Sequence, residues 1–294
     1  MPFRKYGIVF LLFITLAGCA GFPQKPEEAL AERAFPLRYP VILVHGIIAH
    51  DRESIFDFWG RIPEKLTENG VIVYFGNTDA WGDIELNSEL LKAAIERALQ
   101  ETESEKVNII AHSKGGLDAR YLIWKYDFGD RVASLTTMST PHRGAELADR
   151  FYNWERFDSS ILLKNIEFLA RMYGDTNPDI NKVIYQLTTG QMDEFNETTG
   201  MVDDKVYFQS IYTTMQEPSD DVLLSRSFRY IRNISGDNDG VVSEYSAAWG
   251  GNVKKIEGRI SHLKIVDNKK RKIHGIDIPN IYIDIVRDLY ERGF

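Results

Sequence analysis

The chain has little cysteine: Cys19 stands alone in 294 residues, so no intrachain disulfide can hold the fold. It also lacks an excess of positive charge. Against 35 Lys and Arg stand 43 Asp and Glu, giving a formal net charge of -8 and a pI near 5.4. A surface of that sign repels phosphate backbones, which excludes non-specific binding of nucleic acid. The apolar run from Gly7 to Thr15 falls short of the about 20 residues that a membrane-spanning helix needs. No internal repeat and no low-complexity segment is present. What remains is ordinary globular composition, 44% hydrophobic and 27% charged. That is enough for one large domain with a full core, or one domain carrying an insertion.

The first residues, Met1-Pro2-Phe3-Arg4-Lys5, are basic; the apolar run follows, and small residues lead to Leu16-Ala17-Gly18-Cys19. A basic start, a short apolar core and a small-residue cleavage site describe an export signal over residues 1–18. Leu-Ala-Gly-Cys resembles a bacterial lipobox, and the resemblance implies cleavage before Cys19 and acylation of its sulfur and amine. Each buried CH₂ is worth about 0.8 kcal/mol and one chain alone binds marginally, so several acyl chains make a lasting anchor. Ala20, where Asp would signal retention, implies the outer membrane. Residues 19–38, with Pro23, Gln24, Lys25 and Pro26, read as lipid anchor and tether, with a helical turn or two from Glu27 to Arg33. The remaining stretch, 39–294, reads as the folded domain.

That domain is organised around Val107-Asn108-Ile109-Ile110-Ala111-His112-Ser113-Lys114-Gly115-Gly116. A branched apolar run suited to a strand buried on both faces stops at a small residue, a serine and two glycines. Helical character then resumes at Leu117-Asp118-Ala119-Arg120. A strand that turns sharply into a helix around one Ser is a nucleophile elbow, the mark of α/β-hydrolases. Small neighbours are needed because the two backbones approach closely; here Ala111 stands in the place of the first Gly of G-x-S-x-G.

Further strands are expected at Tyr39 to Val44, Val71 to Phe75, Val132 to Met138 and Val206 to Tyr212, with helices at Asn87 to Gln100 and Ile278 to Arg292. Strands that alternate with helices, each read as a continuous apolar run, mean a mostly parallel, doubly wound sheet covered on both faces. The first strand ends in His45-Gly46-Ile47, where a tight turn can aim backbone N–H groups at a ligand. Between about residues 149 and 186 the text turns aromatic and helical, with Phe151, Tyr152, Trp154 and Phe157. This reads either as added core or as a lid over an apolar pocket.

Taken together, these stretches resemble the secreted bacterial triacylglycerol lipases, the true-lipase branch of the α/β-hydrolases. The resemblance rests on Pro40 to Gly46, the elbow, Thr140-Pro141-His142-Arg143-Gly144, Asn238-Asp239-Gly240-Val241-Val242 and Ser261-His262-Leu263. It implies Ser113 as nucleophile, His262 as its base and Asp239 as the orienting acid, in the chain order this fold uses. It implies oxyanion donors in the N–H groups of Ile47 and Lys114. Asp237 and His274 stand nearby as rivals, while His112 and His142 belong to motifs that shape the elbow and the adjoining loop. The expected activity is hydrolysis of carboxylic esters, most naturally fatty-acyl esters. A thioesterase or acyltransferase would use the same triad, and an idle lipid-binding lipoprotein would lack the need for one.

The same resemblance brings a calcium ion beside the loop of the catalytic His, with one carboxylate two residues past that His. Here the position is Lys264, and the other matched carboxylate falls near Glu217. Calcium takes several oxygen ligands, so a lysine there argues against the ion. The expectation is an enzyme without cofactor or metal, in which Lys264 faces Glu217 or Asp220 in place of calcium. Its partners would be a lipid or ester substrate and a membrane reached through acylated Cys19.

Overall fold

The computed structural model describes residues 35–48, 58–153, 167–172 and 174–294. The export signal, Cys19, most of the tether and residues 154–166 of the insertion lie outside the described residues. Phe35 already joins the domain: its N–H bonds the carbonyl of Asn69 at 2.8 Å, and its ring meets that of Tyr290 edge-on.

Among the described residues the strands are β1 (Val41–Val44), β2 (Val73–Phe75), β3 (Val107–His112), β4 (Val132–Met138), β5 (Tyr207–Thr213) and β6 (Val253–Ile256). They form one parallel sheet in the order β2-β1-β3-β4-β5-β6, the doubly wound sheet expected. The helices introduced in chain order are α1 (Ile62–Glu68), α2 (Ile84–Thr102), α3 (Gly115–Lys125), α4 (Glu146–Tyr152) and α5 (Ile180–Gln186). They are followed by α6 (Thr189–Thr199), α7 (Ser225–Ser235), α8 (Glu244–Ala247) and α9 (Ile278–Glu291).

Alternation along each strand assigns the two cores. Val41 and Leu43 point to a cluster with Ile62 and Leu66 of α1 and the apolar stripe of α9. Ile42 and Val44 point the other way, to Leu91 and Ile95 of α2 and Ala119 and Leu122 of α3. Both faces are therefore apolar, and the central strands β1, β3 and β4 are buried along their whole length. Leu43→Ala would open a cavity at the sheet centre and cost about 2–5 kcal/mol. In α9, Ile278, Ile281, Tyr282, Ile285, Val286 and Leu289 recur at helical spacing and are all buried.

The chain leaves β1 for β2 on one side and returns past β1 to β3 on the other. The sheet order thus reverses between β1 and β3, and the crevice at their C-terminal ends is where sheets of this kind take ligands. The turn after β1 and the elbow after β3 meet there. The last strand, β6, contains Lys254 and Lys255 and among the described residues pairs with β5 alone, so its sequence does not read as a buried run. No helix among the described residues is long and apolar enough to cross a membrane.

Candidate active site

Ser113 lies between β3 and α3 with φ 54°, a conformation that non-glycine residues rarely adopt. It is held there from both sides. Its N–H donates to the carbonyl of Met138 at 2.9 Å, and its carbonyl accepts from Thr140 Oγ1 at 2.8 Å. The turns pack so closely that a Cβ on Gly115 would sit 2.3 Å from the carbonyl oxygen of His45. One on Gly46 would sit 2.6 Å from Cβ of Ser113. Ala111 is tolerated because it lies in the strand itself, in register between Val44 and Thr137.

The structure brings Ser113, His262 and Asp239 into one hydrogen-bonded line. Nε2 of His262 is 3.0 Å from Oγ of Ser113, and Nδ1 is 2.7 Å from Oδ2 of Asp239. The other carboxylate oxygen, Oδ1, accepts from the N–H groups of Val241 and Val242 at 3.0 and 2.8 Å. The backbone N–H of His262 donates to the carbonyl of Asp239 at 3.0 Å, so the two loops are tied by main chain as well. Exposure is 6% for Ser113, 5% for His262 and 1% for Asp239. With both Asp239 oxygens engaged, the imidazole keeps its proton on Nδ1 and leaves Nε2 to accept from the serine.

The rivals lie elsewhere. Asp237 is exposed and faces Lys255 at 3.8 Å; His274 is exposed, with Nε2 3.5 Å from Asp220. His45 orders its turn through Gly46 and Thr78, and His142 bonds Thr137 and Arg120. His112 packs its ring 4.5 Å from that of His262, centre to centre, and both of its nitrogens are buried without a hydrogen-bond partner among the described residues. Burial holds His112 well below the usual histidine range, so it stays neutral.

The N–H groups of Ile47 and Lys114 flank the serine and take no acceptor among the described residues. Both sit on constrained backbone. Ile48 holds φ 65°, unusual for a β-branched residue, with its N–H on the carbonyl of Ala80 at 3.2 Å. The side chain of Lys114 turns inward: Nζ reaches Asp118 Oδ1 at 2.6 Å, and both groups are buried. Asn87 completes the pair by donating to Asp118 Oδ2 at 3.1 Å and to the carbonyl of Asp79 at 3.0 Å. Removing the Asp118 carboxylate would leave a buried ammonium alone, at a cost of about 3–5 kcal/mol. The i, i+4 spacing of Lys114 and Asp118 was the available signal for this pair, which the sequence reading missed.

Beside the His262 loop the charges differ from the expected arrangement. Arg259, rather than Lys264, takes the two carboxylates: Nε donates to Asp220 Oδ1 at 2.8 Å and a terminal nitrogen donates to Glu217. Lys264 Nζ donates to the backbone carbonyl of Asp220 and lies 3.9 Å from Asp221. Asp221 in turn accepts from Ser261 Oγ at 2.6 Å. The difference is one of reach: Arg259 precedes His262 on the side of Glu217, whereas Lys264 follows it, over Asp220 and Asp221. Among the described residues no group of three or more His, Cys, Asp or Glu could hold a metal ion. Glu217, the carboxylate matched to the family's calcium, is committed with Asp220 to the Arg259 guanidinium, and the other matched position is the Lys264 ammonium, so these residues do not fit the ion.

Comparisons with known proteins bear on the family and the fold. Residues 39–191 match the family model of the alpha/beta hydrolase fold. A triacylglycerol lipase of Burkholderia plantarii is 30% identical over 298 residues, covering 82% of this chain and 83% of that protein. Triacylglycerol lipase 2 of Saccharomyces cerevisiae is 30% identical over 264 residues, covering 81% and 74%. In fold, the mature lipase of Bacillus licheniformis superposes with a TM-score of 0.64 at 23% identity, covering 87% of this chain and 94% of that one. The Staphylococcus hyicus lipase gives 0.69 at 16%, covering 91% and 98%. The chain belongs to the α/β-hydrolase family. Within it, the relatives alike over most of both chains put it among the lipases, as a carboxylic-ester hydrolase.

Proposed function

We propose that the chain hydrolyses fatty-acyl esters through an acyl-enzyme on Ser113. Triacylglycerol is the first substrate to test, since that is what the relatives are named for. The observation that carries the reading is the buried line from Ser113 Oγ through His262 to Asp239. Ser113 Oγ attacks the ester carbonyl while Nε2 of His262 takes its proton. Asp239 holds Nδ1–H and stabilises the imidazolium. The developing oxyanion is met by the N–H groups of Ile47 and Lys114, whose positions the Ile48 turn and the Lys114–Asp118 pair constrain. The imidazolium then returns its proton to the departing alkoxide, which leaves as the alcohol. Water, deprotonated by the same nitrogen, releases the fatty acid and restores the serine.

The finer reading of location is that the enzyme is exported and held at the outer membrane by acylated Cys19, supported by the lipobox-like Leu16 to Cys19. The test of the chemistry is a fluorophosphonate label together with a series of p-nitrophenyl esters of rising chain length. Ser113→Ala should lose the label and all but a residual of the activity while melting at the same temperature. Activity retained in Ser113→Ala, or faster turnover of thioesters than of esters, overturns the reading.

A further inference from the structure

Among the described residues of this acidic chain, α7 carries a basic face. From Val222 to Gly236 there are three arginines, Arg226, Arg229 and Arg232, and no Asp or Glu. Arg226 and Arg229 lie one turn apart on the exposed side of α7, opposite the buried Phe228 and Ile231. Arg150 of α4 joins them, its guanidinium 4.5 Å from the ring centre of Tyr230, which follows Arg226 by one turn. Among the described residues none of these four arginines has a carboxylate within 4.0 Å. Arg232 alone is spent locally, on the carbonyl of Gln216 at 3.2 Å. At the head of the same helix Val222 is 79% and Leu223 77% exposed. These lie against the catalytic loops: Asp221 accepts from Ser261, the neighbour of His262, and Leu224 packs on Gly240, the neighbour of Asp239.

We infer that this face seats the enzyme on an anionic lipid surface. The arginines take phosphate head groups and Val222 and Leu223 enter the apolar boundary, so that the catalytic loops meet the surface. Unpaired guanidinium groups suit phosphate, which they grip with two parallel donors. The apolar pair beside them suits the zone just beneath the head groups. The rest of the molecule carries net negative charge, so attraction at this face also helps to orient the enzyme. Each arginine near an anionic leaflet is worth about a fivefold change in partitioning, and the effect is screened by salt. The inference rests on the reading of the chain as an enzyme of fatty-acyl esters for its purpose, but not for its test.

The test uses the full-length chain carrying Cys19→Ser, so that no acyl chain contributes and the N-terminal segment is common to every protein compared. Flotation with phosphatidylcholine vesicles, with and without phosphatidylglycerol, should show binding that needs the anionic lipid and weakens with added salt. Arg226→Gln and Arg229→Gln should each lower it about fivefold, and with Arg150→Gln the losses should multiply. Leu223→Ser should weaken binding without changing its salt dependence. Hydrolysis of a soluble short-chain p-nitrophenyl ester should be unchanged in all four variants, while hydrolysis of ester dispersed in anionic vesicles falls with binding. Equal binding to both vesicles, or arginine variants that bind as the parent does, overturns the inference. So does a dimer in solution that Arg226→Gln and Arg229→Gln break, which would assign the face to a second copy. Loss of ester hydrolysis from every protein, with anionic binding intact, would instead count against the proposed chemistry alone.

Discussion

Asp239 and Asp237 are two residues apart and chemically identical, yet only one can orient the imidazole. Asp239 is buried with both oxygens engaged, one on Nδ1 of His262 and one on two backbone N–H groups. Asp237 points outward to Lys255. Asp239→Asn keeps the shape but presents an amide where the ring N–H needs an acceptor, and should lower kcat on the order of 10⁴-fold. Asp237→Asn should change kcat less than about twofold, since it removes only an exposed pair worth at most about 1 kcal/mol. Steady-state kinetics of the two variants decide the assignment, and the reverse ranking would move the acid to Asp237. At this scale much was legible, because each of Ser113, Asp239 and His262 sits in a short motif whose neighbours do local work. Gly115 lets the elbow close, and Val241 and Val242 follow Asp239 closely enough to reach back to it. The inward turn of Lys114 was hidden for the opposite reason: a lysine on a helix reads as solvated until packing buries it.

The segment from Gln216 to Asp221 and the loop from Arg259 to Lys264 form a clamp around His262. Asp220 is its centre: Oδ2 accepts from the N–H groups of Gln216 and Glu217 at 2.7 and 3.0 Å, and Oδ1 receives Arg259. Arg259 holds φ 58°, a conformation its side chain does not favour, in order to point there. Burial by itself would raise the pKa of Asp220, but Arg259 and the two backbone donors hold it below the ordinary aspartate value. Arg259 holds Glu217 down as well. A carboxylate whose folded pKa is depressed stabilises the protein above its ordinary value, and that contribution fades as the pH falls below about 4. We propose that this clamp serves where relatives of the resembled family use calcium. Activity should then be unchanged by EDTA, and Arg259→Gln should lower Tm at neutral pH while narrowing the gap to the parent under acid conditions. It should also lower kcat by roughly tenfold or more, as the catalytic His loses its register. Activity lost to EDTA and restored by calcium would refute the clamp. Elements of this kind are poorly legible in a sequence, because Arg259 meets partners 39 and 42 positions away. The edge strand β6 was missed because it lacks the continuous apolar run that marked β1, β3 and β4, and α7 because only Phe228 and Ile231 mark its buried face.

In the whole molecule, the point where the described chain enters the sheet and the serine lie at opposite ends of the strands. The chain enters at the N-terminal end of β1, where Arg38 bonds the carbonyl of Phe294 at 2.8 Å, while Ser113 stands at the C-terminal end of β3. An acylated Cys19 would precede β1 in the chain, while the site with its proposed arginine face lies at the C-terminal ends of the strands. Whether both can serve one membrane is a question of reach. The roughly 15 residues from Ala20 to Ala34 span at most about 50 Å when fully extended, close to the diameter of a domain of this size. We propose that the tether is used nearly in full when an acylated Cys19 and the site serve one membrane. Two outcomes follow for cells expressing the protein. Cys19→Ser should release the activity from the membrane fraction or block processing, with palmitate labelling lost. Deleting Gln24 to Glu28 should leave the protein acylated and fully active on a soluble ester, while hydrolysis of lipid in its own membrane drops severalfold. Palmitate labelling that persists in Cys19→Ser would count against the lipobox. Undiminished lipid hydrolysis after the deletion would show that the anchor and the site do not have to reach the same surface.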